Sequence, residues 1–77
     1  MKNNYDKRFA KRFGTFICDG RMAKNLSQTE TAEGLGVSQA YYSYIESGNR
    51  SIDLNMAMRI CTFLDLDLGE FIRNYSD

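Results

Sequence analysis

The chain contains no histidine, no proline and only two cysteines. Without histidine, Cys/His zinc fingers, imidazole acid–base catalysis and Cys–His nucleophile pairs are excluded. Cys18 and Cys61 stand far apart and belong to no CxxC pattern, so no metal or cofactor is expected. They read as a core filler (Cys61) and a partly exposed thiol (Cys18) rather than a disulfide. No apolar run approaches the roughly 20 residues needed to span a membrane. The N-terminus, MKNNYDKRFAKRF, is basic but lacks the apolar stretch of a secretory signal. A soluble cytoplasmic protein is therefore expected. No low-complexity run, internal repeat, paired catalytic carboxylates or phosphate-binding glycine loop is visible, and no enzyme is expected. Nor does the chain suggest a small-molecule ligand.

A net charge is also lacking, since ten basic side chains balance ten acidic ones. The distribution is uneven. Residues 1–24 carry seven basic groups against Asp6 and Asp19, a net +5, whereas residues 25–77 carry three against eight acids, a net −5. Such asymmetry suggests one face turned toward a polyanion. At 77 residues and 43% hydrophobic content, one modest globular domain over 1–77 is expected, with 1–4 flexible.

What is present is helical spacing almost throughout. Tyr5, Phe9, Phe13, Phe16 and Ile17 mark one face of a first helix, with Lys7, Arg8, Lys11 and Arg12 opposite. Gly14 and Gly20 weaken its interior, and Lys24-Asn25 ends it. Ser27 with Glu30 three residues on is a capping box that opens a second helix, in which only Ala32 and Leu35 offer clear apolar contacts. Leu35-Gly36-Val37 is a tight apolar turn. Ser38 opens a third helix running to Glu46 or Ser47, with Tyr41 or Tyr42 and Ile45 inward and Gly48 just past its end. Asp53 caps a fourth helix with Leu54, Ala57, Ile60, Cys61 and Leu64 as its core face. Asp67 and Glu70 open a last helix carrying Leu68, Phe71, Ile72 and Tyr75. No segment alternates with period two. The fold class is all-α, five short helices around one core, with helices two and three forming a helix-turn-helix.

The ordered set Leu26-Ser27-Gln28, Glu30, Ala32, Leu35-Gly36-Val37-Ser38, Ile45-Glu46 and Gly48, followed by Leu54, Ile60, Leu64, Leu66, Leu68 and Glu70-Phe71-Ile72, resembles the lambdoid phage repressor and Cro family (XRE-like regulators). The resemblance covers residues 13–73. It implies a compact lambda-repressor-like bundle that places its third helix in the major groove of double-stranded DNA. By this resemblance Gln28 and Ser38 contact phosphates at helix N-termini, and Gln39 reads a base, its amide suiting adenine N6 and N7. Ala40, Ser43 and Tyr44 share that outward face, and Asn49 and Arg50 grip the neighbouring backbone. Tyr42 falls where the family is buried. Arg21 and Glu46 match an ion pair tying helix one to the end of helix three.

Three departures carry consequences. Thr31 and Gly20 stand where leucine is usual, so helices one and two supply less apolar volume to each other. The third helix has no basic residue, which predicts a shallow salt dependence and modest affinity per monomer. A homodimer on a palindromic operator would offset that deficit, with Leu68, Phe71, Ile72 and Tyr75 as the expected interface. The expected function is a sequence-specific transcriptional regulator, a repressor or controller. The alternative is a helical protein–protein adaptor or antitoxin-like module on the same fold, favoured by the neutral net charge and the uncharged recognition stretch Gln39 to Ile45.

Overall fold

A computed structural model of the protein describes residues 6–75. Tyr5 and the stretch 1–4 lie outside them. The helices are α1 (Lys7–Ala23), α2 (Gln28–Leu35), α3 (Gln39–Ser47), α4 (Leu54–Phe63) and α5 (Leu68–Asn74), and no strand occurs among the described residues. None of these helices is long and apolar enough to cross a membrane.

Each helix begins on a short polar side chain that accepts otherwise unpaired backbone N–H groups. Asp6 accepts from Arg8 and Phe9, Ser38 from Tyr41, Asp53 from Met56 and Asp67 from Glu70. Ser27 and Glu30 form the full reciprocal box, with bonds of 2.9 and 2.8 Å. The ends are set by left-handed residues: Gly36 and Gly48, both at φ 76°, close α2 and α3, and Asn25 and Asp65 follow α1 and α4 at φ 59° and 58°. Asn and Asp tolerate that region better than bulkier residues do. Lys24 and Asp65 then bridge the two helix ends at 2.9 Å.

The core gathers Phe13 and Ile17 of α1, Ala32 and Leu35 of α2, Tyr42 and Ile45 of α3, and Ala57, Ile60 and Cys61 of α4 with Leu64 beyond it. Thr31 is fully buried too, so α2 contributes more to the interior than Ala32 and Leu35 alone. Its hydroxyl donates to the Ser27 carbonyl at 2.9 Å, which satisfies the polar atom one turn back and leaves a methyl for packing.

The two glycines of α1 do more than weaken a helix. A Cβ on Gly14 would lie 2.2 Å from the Glu46 carbonyl oxygen, so α1 and α3 pack backbone to backbone there. A Cβ on Gly20 would lie 2.5 Å from a Leu66 methyl, so the side chain that fills this volume comes from the α4–α5 loop. Leu54 corrects the sequence reading: it is 66% exposed and does not belong to the core face of α4. As the first residue of its helix it points away from the interior, while Ala57, Ile60 and Cys61 point in.

α5 is held by aromatic contacts. The Phe71 ring meets Phe9, Phe13 and Phe16 at centroid distances of 5.6, 5.6 and 4.9 Å. Tyr75, the residue capping α5 rather than one within it, sits 5.1 Å from Phe9 and lies under the Arg12 guanidinium. Offset and edge-on pairs of this kind add to simple burial. Both cysteines are free thiols; Cys61 is buried, and burial pushes its pKa up to about 11.

Candidate nucleic-acid interface

α2 and α3 meet across Gly36. Its N–H and that of Val37 return to the Glu33 and Ala32 carbonyls at 3.1 and 3.0 Å, which reverses the chain within three residues. The buried side chains Ala32, Leu35, Tyr42 and Ile45 fix the inner faces of both helices. Their other faces are left to solvent.

A chain of hydrogen bonds runs from the protein interior to that outer face. The Arg21 guanidinium binds Glu46 through two bonds, Nε to Oε2 at 2.6 Å and Nη2 to Oε1 at 3.1 Å, while Nη1 donates to the Leu26 carbonyl at 2.7 Å. The two side chains are 12% and 5% exposed. Gln28 Nε2 donates to Glu46 Oε1 at 3.0 Å, and Gln28 Oε1 accepts from Gln39 Nε2 at 2.7 Å.

The order of donors in this chain is forced. A carboxylate only accepts, so Gln28 must turn its NH2 toward Glu46. Its carbonyl oxygen then faces Gln39, which must answer with an N–H. Gln39 is left with one N–H and its carbonyl oxygen for other partners.

Burial alone would raise the Glu46 carboxyl, but hydrogen bonds from Arg21 and Gln28 outweigh it and hold Glu46 below the ordinary carboxylate value. The same pairing raises Arg21 further above its already high value. The Tyr42 hydroxyl is buried and makes no hydrogen bond of ordinary geometry. Burial first, and then the nearby Glu46 carboxylate, push its phenol well above the usual range. Cys18 also touches this cluster: Arg21 Nη2 approaches its sulfur at 3.7 Å, and burial, then Glu46, raise its thiol pKa.

Gln28 is thus half-buried in the α2–α3 contact rather than standing free at its helix start. Ser38 is exposed, and its oxygen already accepts the Tyr41 N–H at 3.0 Å. Gln39, Ala40 and Tyr44 are exposed, Tyr44 at 54%, and Ser43 is half-buried. Asn49 and Arg50 are exposed directly after α3. Arg50 carries a contact that periodicity did not signal: its guanidinium stacks 4.8 Å above the Tyr41 ring. Tyr41 and Arg50 are nine positions apart and on different elements, so only the Gly48 reversal brings them together.

The helix-turn-helix family HTH_3 matches residues 19–71. Over 59 residues the chain is 41% identical to the ImmF control region 10 kDa protein of Bacillus phage phi105, a stretch that covers 77% of this chain and 66% of that protein. Among solved structures, the restriction-modification controller protein C.AhdI from Aeromonas hydrophila is 30% identical, with a TM-score of 0.76 over 83% of this chain and 97% of the other. The clp gene regulator ClgR from Corynebacterium glutamicum shares the fold, at 22% identity and a TM-score of 0.77 over 83% of each chain. Fold and matches define a helix-turn-helix DNA-binding transcriptional regulator, not an enzyme. The chain belongs to the HTH_3 helix-turn-helix family, the XRE type anticipated from its sequence.

Proposed function

We propose that residues 1–77 act as one cytoplasmic DNA-binding domain that recognises a palindromic operator as a homodimer, with α3 in the major groove. The observation that carries this reading is the chain Arg21–Glu46–Gln28–Gln39. It holds a glutamine at the start of α3 with one N–H and one carbonyl oxygen unspent. That pair complements the N7 acceptor and N6 donor of adenine, a contact worth about 1–3 kcal/mol of discrimination. Ala40, Ser43 and Tyr44 extend the reading face. Ser38 retains a hydroxyl proton and Gln28 lies at the α2 N-terminus, so both sites suit phosphates. Asn49 and Arg50 hold the backbone beyond the groove.

The dimer face in this reading shifts along α5. Phe71 and Tyr75 are spent on α1, whereas Ile72 is 52% exposed and shares a groove with Leu68, Leu54 and Met58. Leu54 and Met58 are 66% and 54% exposed. This apolar face is where a second copy docks.

Selection of bound fragments from random duplex DNA is the test. Recovery of an inverted repeat, bound two protomers at a time, is the expected result. A protein that enriches no sequence and retards no duplex at low salt is a helical adaptor instead; the absence of any basic side chain in α3 favours that second reading.

A further inference from the structure

We propose that Lys11, with Lys7 one turn before it, forms a second phosphate-gripping edge on the DNA-binding surface, supplied by α1 and lying beside the Asn49–Arg50 turn. The proposal rests on the DNA-binding reading above and adds to it a binding element outside the helix-turn-helix.

The placement follows from a close crossing. A Cβ on Gly48 would lie 2.5 Å from Lys11 Cγ and 2.7 Å from Lys11 Cα. Three residues later in α1, Gly14 faces the Glu46 carbonyl in the same way, so α1 runs across the end of α3 at backbone contact. Glycine is needed at position 48 for its positive φ and again for this approach. The Lys11 stem therefore lies over Gly48 itself, and since Lys11 is exposed its ammonium reaches solvent at the loop that begins with Asn49. Lys7 is exposed four residues away on the same face of the helix.

Charge supplies the second argument. The outward face of α3 has no cation, so phosphate contacts must come from its margins. Most cations of the described chain are already engaged. Arg21 is bound to Glu46, Lys24 to Asp65, Arg59 to the Leu35 carbonyl, and Arg73 lies near Asp67. Arg12 lies over Tyr75. Lys7 and Lys11 enter no ion pair among the described residues. The nearest helix-capping carboxylate in sequence, Asp6, is turned to the Arg8 and Phe9 N–H groups. Two uncommitted ammonium groups beside a groove-reading helix are what a polyphosphate backbone draws to itself, independent of sequence.

The test uses the full chain and two duplexes, one recovered by selection from random DNA and one unrelated. Affinity is measured over a range of salt for the wild type, Lys11→Gln, Lys11→Arg and Lys24→Gln, the last removing an equal charge at the far end of α1. Lys11→Gln is expected to weaken both duplexes equally, by about eightfold per bound protomer at 0.1 M salt, and to flatten the log–log salt slope by about 0.9 per protomer. Lys11→Arg restores both, and Lys24→Gln moves neither. Wild-type affinity and slope in Lys11→Gln would overturn the proposal, as would an equal loss in Lys24→Gln. If the wild type binds neither duplex, the DNA-binding reading itself falls and takes this edge with it.

Discussion

Arg21 and Glu46, 25 residues apart, close a two-bonded ion pair at 2.6 and 3.1 Å between the end of α1 and the end of α3. Planar guanidinium and carboxylate match in shape, and Leu26 takes a further Arg21 proton, so little of the pair's hydrogen-bonding capacity is wasted. Removing one partner strands the other in a protein interior. Glu46→Ala is expected to cost about 3–5 kcal/mol, most of the stability of a domain this small. The pair also sets a pH dependence. Glu46 titrates below its unfolded value, so the unfolded chain takes up protons first as pH falls. The stability is fully present above the unfolded carboxylate value and is lost as pH drops through the lower, folded one. Urea midpoints followed from neutral to acid pH should fall more steeply for the wild type than for Glu46→Gln. Parallel curves would show that the pair does not report on folding.

Gln28 is expected to act through Gln39. It holds the second amide in one orientation, so Gln28→Ala should loosen the preference at the same base that Gln39→Ala loosens. Each single change should cost about 1–3 kcal/mol at that base pair. The double change should cost little more than either alone, because the two side chains work as one unit. Arg50→Ala should weaken selected and unrelated duplexes alike. Additive losses for Gln28 and Gln39 would mean that the Gln28 side chain contacts DNA on its own account, beyond the phosphate that its backbone N–H can hold at the start of α2.

Much of this was legible in the sequence because helix caps and apolar spacing are local signals. Ser27, Ser38, Asp53 and Asp67 announce their helices, and Phe13, Ile17, Ala32, Leu35, Ile45 and Ile60 fall at core spacing. What escaped depends on partners distant in the chain. Gly20 looks like a lost leucine until Leu66 arrives from the α4–α5 loop to fill its place. Thr31 looks polar until its hydroxyl is spent on Ser27. Leu54 has core spacing but sits at a helix start, where the direction of Cβ turns it outward. Gln28 was legible as a helix N-terminus; that its side chain is engaged by Glu46 depends on the crossing of α2 and α3.

Tyr42 offers a cleaner test of polar burial. Its hydroxyl is enclosed without a well-formed hydrogen bond, and an enclosed unpaired hydroxyl is destabilising. Tyr42→Phe keeps the ring and deletes only that oxygen. The change should be neutral or stabilising by about 1 kcal/mol in chemical denaturation. A loss of stability of that size would instead mean that the hydroxyl donates to Glu46 in solution.

Two glycine substitutions separate packing from backbone strain. At Gly14 a methyl meets α3 backbone at 2.2 Å, and neither helix can yield without parting the core. At Gly36 nothing lies within 4 Å, and only the φ of 76° opposes a side chain. Gly36→Ala should therefore cost about 1–2 kcal/mol, and Gly14→Ala distinctly more despite alanine's better helix propensity. Thermal midpoints of the two variants decide it; equal losses would argue against the backbone contact of α1 and α3.

The two apolar residues in the middle of α5 divide by role. Phe71 meets three rings of α1, so Phe71→Ala should unfold the helix from the core at a cost of about 3–5 kcal/mol. Ile72 is half exposed beside Leu54 and Met58, and a charge there disturbs little within one protomer. Ile72→Asp should keep the wild-type unfolding midpoint at dilution yet prevent self-association, because an unpaired carboxylate in a dry apolar contact is costly. Analytical ultracentrifugation should find the wild type dimeric at concentrations where Ile72→Asp is monomeric. With the operator, the wild type should bind two protomers together and the variant one at a time, with weaker affinity. If both sediment alike, with and without DNA, the second copy docks elsewhere or not at all.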